Sequence, residues 1–328
     1  RLGEVVRTAV PFLDRVIDIN FYPTDEAGSS NSKWRPVGLG LMGLQDVFFQ
    51  TGLTFDGPEA LELSTRISEE IYYCALSASC DLAAEDGPHE GFSETRAARG
   101  DLQFDLWGVV PSDAARWEAL KDRISQHGLR NSLVVAIAPT ATIASIAGCY
   151  ECIEPQVSNL FKRETLSGEF LQINRYLVNE LQELGLWGDD MAQRIKRAEG
   201  SIQAIEEIPE DLREIYRTAW ELPQRALIDL AASRGAYIDQ SQSLNLFMES
   251  PSIGKLSSMY MHAWKSGLKT TYYLRSRPAT RINQTNSGAD GEPTGSPPDG
   301  ESIDARSFTA EEAIACSLEN PETCEACD

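Results

Sequence analysis

Cys324 and Cys327 close the sequence as a CxxC pair. Two thiols at this spacing can form a disulfide or supply half of a metal site. A zinc site needs two further ligands. The other CxxC is Cys149-Tyr-Glu-Cys152, and the histidines are His89, His127 and His262. Joining the two pairs would immobilise the end of the chain, which disfavours a four-cysteine site. From Asn283 to about Ser307 the composition is Asn, Gly, Ser, Pro, Asp and Glu, too polar to bury the apolar surface that ordering requires. A flexible linker of about forty residues has a root-mean-square reach of roughly 35 Å. A dithiol on such a linker suits a shuttle that visits a buried site, exchanges, and swings out to an external reductant. The plain alternative is a disordered end with incidental cysteines.

A second group is the run Ala138 to Gly148 (APTATIASIAG), where Thr140, Thr142 and Ser145 supply hydroxyls among small residues. A helix starting here would aim backbone N–H groups at an anion, or would be an ordinary Ser/Thr-capped helix start. Tyr272-Tyr273 is a third group, flanked by Lys269 and Arg275. Adjacent aromatics in a strand usually pack one to each face, and the two cations can be solvated or bind anions. Gly38-Leu-Gly40-Leu-Met-Gly43 matches GxGxxG, but Arg35-Pro36 stands where a strand should precede it. A lone match is weak, so the glycines are read as allowing close packing. Cys149 and Cys152 read either as redox-active or as two small buried residues.

The elements that must position these groups follow from apolar periodicity. Residues 1–20 read as a helix, with Val5, Val6, Val10, Leu13, Val16 and Ile17 at helical spacing. Pro23 to Asn31 reads as a turn, and Val37 to Phe49 as an apolar stretch. Asp56-Gly57-Pro58-Glu59 opens a long helix, with Pro suited to its first turn. That helix runs to Asp86-Gly87-Pro88 and buries Tyr72, Tyr73, Leu76 and Cys80. Ser132 to Ala138 is almost wholly apolar, as in a strand buried on both faces. Helices are expected over 168–198, 207–234 and 255–267, and a strand over 270–275. The alternation predicts an α/β architecture.

Composition narrows the function. With 29 Lys and Arg against 50 Asp and Glu, the net charge is −21 over 328 residues. That disfavours non-specific nucleic-acid binding. No apolar run approaches the ~18 residues of a membrane span. Seven cysteines, an odd number in a long chain, fit a reducing, cytoplasmic setting with free thiols. The first residue is Arg1, inside the first helix, so further residues are expected upstream.

Several segments resemble the large subunit of class I ribonucleoside-diphosphate reductase. They are RPVGLGLMGLQD (35–46), IYYCALSASCDLA (71–83), LRNSLVVAIAPTATIASIAG (129–148), IEPQVSNLFKRETLSGEF (153–170), GAYIDQSQSLNLF (235–247), GLKTTYYLRSRPA (267–279) and CSLENPETCEAC (316–327). The resemblance implies the C-terminal half of a ten-stranded α/β barrel over 1–282, a flexible linker over 283–315 and a redox-active, disordered tail over 316–328. It implies replacement of the 2′-OH of a ribonucleoside diphosphate by hydrogen, through a thiyl radical and a cysteine pair.

By the same resemblance, Pro139, Thr140, Ala141, Thr142 and Ile143 hold the substrate phosphates. Tyr272 and Tyr273 relay a radical from the metal cofactor of a small subunit, and this chain binds no metal itself. Cys324 and Cys327 re-reduce the active-site disulfide and are reduced in turn by thioredoxin or glutaredoxin. Glu154 lies near the phosphate loop with no catalytic role assigned. The thiyl cysteine, the active-site pair and the allosteric nucleotide sites are expected upstream of Arg1, in a missing N-terminal half, so the chain alone is expected to be inactive. Competing readings are a cobalamin-dependent reductase of the same superfamily, which needs no tyrosine relay, and a non-catalytic thiol-carrier or assembly module. A nicotinamide dehydrogenase rests on GxGxxG alone.

Overall fold

The computed structural model describes residues 1–165 and 168–277. The linker and tail, with Cys316, Cys324 and Cys327, lie outside the described residues.

The first helix, α1 (Leu2–Ile19), buries Val6, Val10, Asp14 and Ile17 on one face. A carboxylate in that row needs compensation. Arg35 supplies it: Nε donates to Asp14 Oδ1 at 2.9 Å, and NH1 to Asp18 Oδ1 at 2.7 Å. The Asn131 amide also donates to Asp14, at 2.8 Å. Pro23 to Asn31 is mostly not a turn but part of α2 (Asp25–Trp34). Thr24 caps it by accepting from Ala27 N, Asp25 and Glu26 sit in its first turn and Lys33 in its last. This arrangement outweighs the local Gly and Ser content.

Next come α3 (Leu44–Thr51) and α4 (Pro58–Asp86), 29 residues long with Pro58 in its first turn and Gly87 at its end. Tyr72, Leu76 and Cys80 are buried as expected, while Tyr73 lies half-buried against Trp117. The helices α5 (Gln103–Leu106) and α6 (Ala114–His127) cover this face. Trp117 is buried there, and its indole N–H donates to Glu69 at 3.0 Å.

The remaining elements are α7 (Ala141–Ala147), β1 (Leu160–Thr165), β2 (Gly168–Ile173), α8 (Arg175–Glu183), α9 (Asp189–Arg197), α10 (Glu210–Ile215), α11 (Gln224–Gly235), β3 (Leu246–Phe247), α12 (Ile253–Lys265) and β4 (Leu274–Arg275). The helix expected to begin at 168 begins at 175 instead. β1 and β2 form an antiparallel hairpin, from Leu160↔Ile173 to Thr165↔Gly168. Asn174 then starts α8, its side chain accepting from Tyr176 N and Leu177 N. Leu160 joins Leu177, Leu181, Met191, Ile195 and Tyr216 in a smaller core beside the main one.

Four extended segments build the scaffold of the main core: 37–40, 133–138, 240–247 (ending in β3) and β4. Residues 37–40 pair with 133–138 (Leu39↔Val135, parallel), and these pair with 240–243 (Ile137↔Gln242, parallel). β3 pairs in parallel with β4 (Leu246↔Leu274). Each segment thus lies beside its predecessor in the chain, with helices in the crossovers. Successive parallel neighbours wound in one direction are the pattern of a barrel wall. Among the described residues no helix is long and apolar enough to cross a membrane.

Candidate active site

The segment 133–138 leads directly into the 139–143 loop. Two N–H groups of the segment, Val134 and Val135, donate to the Asp239 carboxylate at 2.9 and 2.8 Å. Thr140 follows in the left-handed region (φ 52) as the residue before α7. It does not cap that helix. Its hydroxyl accepts from Cys152 N at 2.8 Å instead. The N–H groups of Ala141, Thr142 and Ile143 stand in the first turn, where a helix has no internal partner for them. Pro139, Ala141, Thr142 and Ile143 are exposed and Thr140 is half-buried. The ordinary capped start, one of the two readings of this run, is therefore not what the geometry has. The loop offers uncapped donors at the C-terminal end of a parallel segment, the end where α/β barrels carry their sites.

Tyr272 and Tyr273 are both about half-exposed, at 51% and 53%. Their ring centroids lie 4.1 Å apart with planes tilted by 58°. They do not take opposite faces of a strand, because the strand β4 starts only at Leu274. A hydrogen bond with the Tyr273 side chain raises the pKa of the Tyr272 phenol. Tyr272 N donates to Leu244 O at 2.7 Å and Tyr273 O accepts from Leu246 N at 2.9 Å.

The register places these groups at one height. Ile137 lies opposite Gln242, and Leu246 opposite Leu274. Counted two residues along each parallel pair, Pro139, Leu244 and Tyr272 share a level. Two interstrand spacings, about 10 Å in all, separate the loop from the tyrosines.

Glu154 and Asn245, singled out by no motif as functional, lie between them. Both are buried. Asn245 N donates to Glu154 Oε1 at 3.1 Å and Asn245 Nδ2 to Oε2 at 2.7 Å. Asn245 Oδ1 accepts from Tyr273 N at 3.2 Å. Burial raises the Glu154 pKa, while the Asn245 bonds and the Arg275 charge oppose the rise. Arg234 is fully buried nearby, bonded to Gln242 and Ser64. Burial lowers it to about 10, and the charges of Cys152 and Glu154 act against that. A sequence signal did exist for Asn245: a polar residue inside the apolar run Leu244 to Met248.

The other motifs resolve structurally. A Cβ on Gly40 would stand 2.7 Å from Ala136 O, and one on Gly38 would stand 3.2 Å from Ala136 Cβ. The space a dinucleotide would need is filled by the neighbouring segment. As expected, no strand precedes Gly38: α2 ends at Trp34, and the extended backbone that pairs at Leu39 lies within the glycine run. Burial pushes the Cys152 thiol up to about 11 and raises Cys149 too. Both thiols hold their protons at neutral pH, which favours packing over redox work. Among the described residues, no three His, Cys, Asp or Glu side chains gather as a metal site. Lys269 donates to the carbonyls of Ile238, Asp239 and Gln240 at 3.3, 2.7 and 2.8 Å, so its ammonium clamps backbone. The tail thiols Cys324 and Cys327 lie outside the described residues.

Fold and site together define a parallel α/β barrel domain with an exposed loop at the C-terminal end of one segment and a tyrosine pair just before the start of β4. The family model for the ribonucleotide reductase barrel domain matches residues 1–274. The chain is 45% identical over 331 residues to a ribonucleoside-diphosphate reductase large subunit of Arabidopsis thaliana, covering all of this chain and 41% of that one. It is 43% identical over 349 residues to the large chain of Schizosaccharomyces pombe, covering 100% and 43%. With the large subunit of vaccinia virus it shares 49% over 281 residues, covering 85% and 36%. A solved structure, the Actinobacillus ureae class Id ribonucleotide reductase alpha subunit, superposes with TM-score 0.67 at 26% identity, covering 84% of this chain and 46% of that one. The chain belongs to the ribonucleotide reductase large-subunit family and carries its barrel domain. It spans less than half the length of these relatives.

Proposed function

We propose that this chain contributes the substrate-phosphate loop, the radical-relay tyrosines and the reducing tail of a class I reductase that converts ribonucleoside diphosphates to deoxyribonucleoside diphosphates for DNA synthesis. The observation that carries this reading is the shared level of Pro139 and Tyr272, with a single strand between them. The loop can take a diphosphate on the N–H groups of Ala141, Thr142 and Ile143 and on the Thr142 hydroxyl. A small-subunit partner supplies the oxidising equivalent from its metal cofactor. Tyr272 and Tyr273 pass it on as a hydrogen atom: one phenolic O–H bond breaks as the other forms, a nearly thermoneutral exchange between like groups. At the substrate, the 2′-OH leaves as water and two thiols become a disulfide. Cys324 and Cys327 then reduce that disulfide by exchange and pass the oxidation to thioredoxin or glutaredoxin. The free thiols Cys74, Cys80, Cys149 and Cys152 suit the reducing cytoplasm.

Tyr273→Phe tests the reading, because the variant lacks the O–H bond that the relay uses. In the enzyme reconstituted with its small subunit, turnover should be lost while thioredoxin still reduces the tail disulfide. Full turnover would overturn the class I assignment and point to a radical source that needs no relay, as in the cobalamin-dependent reductases.

A further inference from the structure

Hydrogen bonds, joined by the buried backbone from Cys152 to Glu154, connect the 139–143 loop to Tyr273. The series begins at Thr140, whose hydroxyl accepts from Cys152 N at 2.8 Å. Cys152 is itself in the left-handed region, at φ 51, and a single residue, Ile153, separates it from Glu154. Cys152, Ile153 and Glu154 are all buried, at 1%, 1% and 6% exposure. The Glu154 carboxylate then takes both donors of Asn245, at 3.1 and 2.7 Å. With its Nδ2 held there, the Asn245 amide has one orientation left, Oδ1 toward Tyr273 N at 3.2 Å.

We propose that Glu154 is a positioning residue that couples occupancy of the 139–143 loop to the placement of Tyr273. The proposal rests on the reading of that loop as the phosphate site. A diphosphate on the loop reaches the series through Thr140, its half-buried end in the loop. Close-packed interiors do not absorb a displacement there, so it passes along the bonds to the Tyr273 backbone. A carboxylate is required at 154 because both facing groups of Asn245 are donors. A carboxamide there would set a donor against a donor and let the Asn245 amide turn, releasing Tyr273 N.

The test uses the intact protein with 3-fluorotyrosine at position 273 alone. Fluorine-19 resonance is followed during titration with cytidine 5′-diphosphate (CDP) and, separately, with inorganic pyrophosphate, while calorimetry reports binding in the same samples. The wild-type resonance should shift with both ligands, with the midpoints that calorimetry gives. Glu154→Gln should bind CDP and lose most of the shift at an unchanged melting temperature. If Glu154→Gln does not fold, Asn245→Ala removes the amide between Glu154 and Tyr273 and should give bound CDP without the shift. Bound CDP with an unmoved wild-type resonance overturns the coupling and leaves the phosphate-loop reading standing. No binding of either ligand overturns both. A shift with CDP alone removes the loop as the trigger, and a full shift in Glu154→Gln or Asn245→Ala overturns the route through Glu154.

Discussion

Asp239 shows how a single carboxylate supports the site from behind. It accepts the N–H groups of Val134 and Val135, the residues that lead into the loop, and burial raises it from 3.8 to about 6. The folded chain therefore binds this proton more tightly than the unfolded chain does. Its contribution to stability is full below the ordinary carboxylate value and is lost as pH rises through about 6. Urea melts of wild type and Asp239→Asn should show a larger stability gap at about pH 4 than at about pH 7. An equal gap at both values would show that Asp239 does not titrate in this window. Thr140 makes the complementary point at the same scale. Its identity marked it as a cap, and its hydroxyl went to Cys152 N instead, leaving the first-turn donors free.

The elements around the site are held by close approach as much as by apolar burial. Gly40 is the clearest case, with Ala136 O at 2.7 Å from where a Cβ would stand. Gly40→Ala should destabilise the chain by about 1–3 kcal/mol, the cost of overpacking a tight contact. Gly254→Ala, in the first turn of α12 with open space around it, should stabilise by about 0.4–1 kcal/mol through the unfolded chain. Chemical denaturation of the two variants measures both, and a Gly40→Ala chain as stable as wild type would refute the packing account of the glycines. The long helix Pro58–Asp86 was legible because its proline start, glycine stop and apolar face agree. The helix Asp25–Trp34 was not, because its Gly and Ser content argues for a turn. The hairpin Leu160–Ile173 stands where apolar spacing predicts helix from 168 on, because short apolar runs do not distinguish the two periods.

At the scale of the whole molecule the reading makes the tail a separable device. Cys324→Ser or Cys327→Ser should hold thioredoxin-supported turnover of the reconstituted enzyme to about one round per chain, because the tail can no longer relay electrons by exchange. A small dithiol that reaches the buried disulfide directly should still sustain it. Undiminished turnover with thioredoxin in either variant would remove the tail from the electron path.

Residue types and local spacing by themselves determined the α/β alternation, the strand before the loop, the tyrosine pair and the terminal dithiol, since each is a property of neighbours in the chain. The resemblance then tied these to one family, and the barrel domain is that family's. Only the tertiary structure decided that Pro139 and Tyr272 share a level, because the register of three parallel segments far apart in the chain sets it. It also decided that Tyr272 and Tyr273 lie together instead of on opposite faces, and that Lys269 clamps carbonyls instead of meeting an anion. Glu154 and Asn245 belong to that second kind: each is an ordinary polar residue until folding brings together positions 91 residues apart and buries both. A buried carboxylate must then take whatever donors lie within reach, and here they belong to Asn245, whose Oδ1 accepts from Tyr273 N.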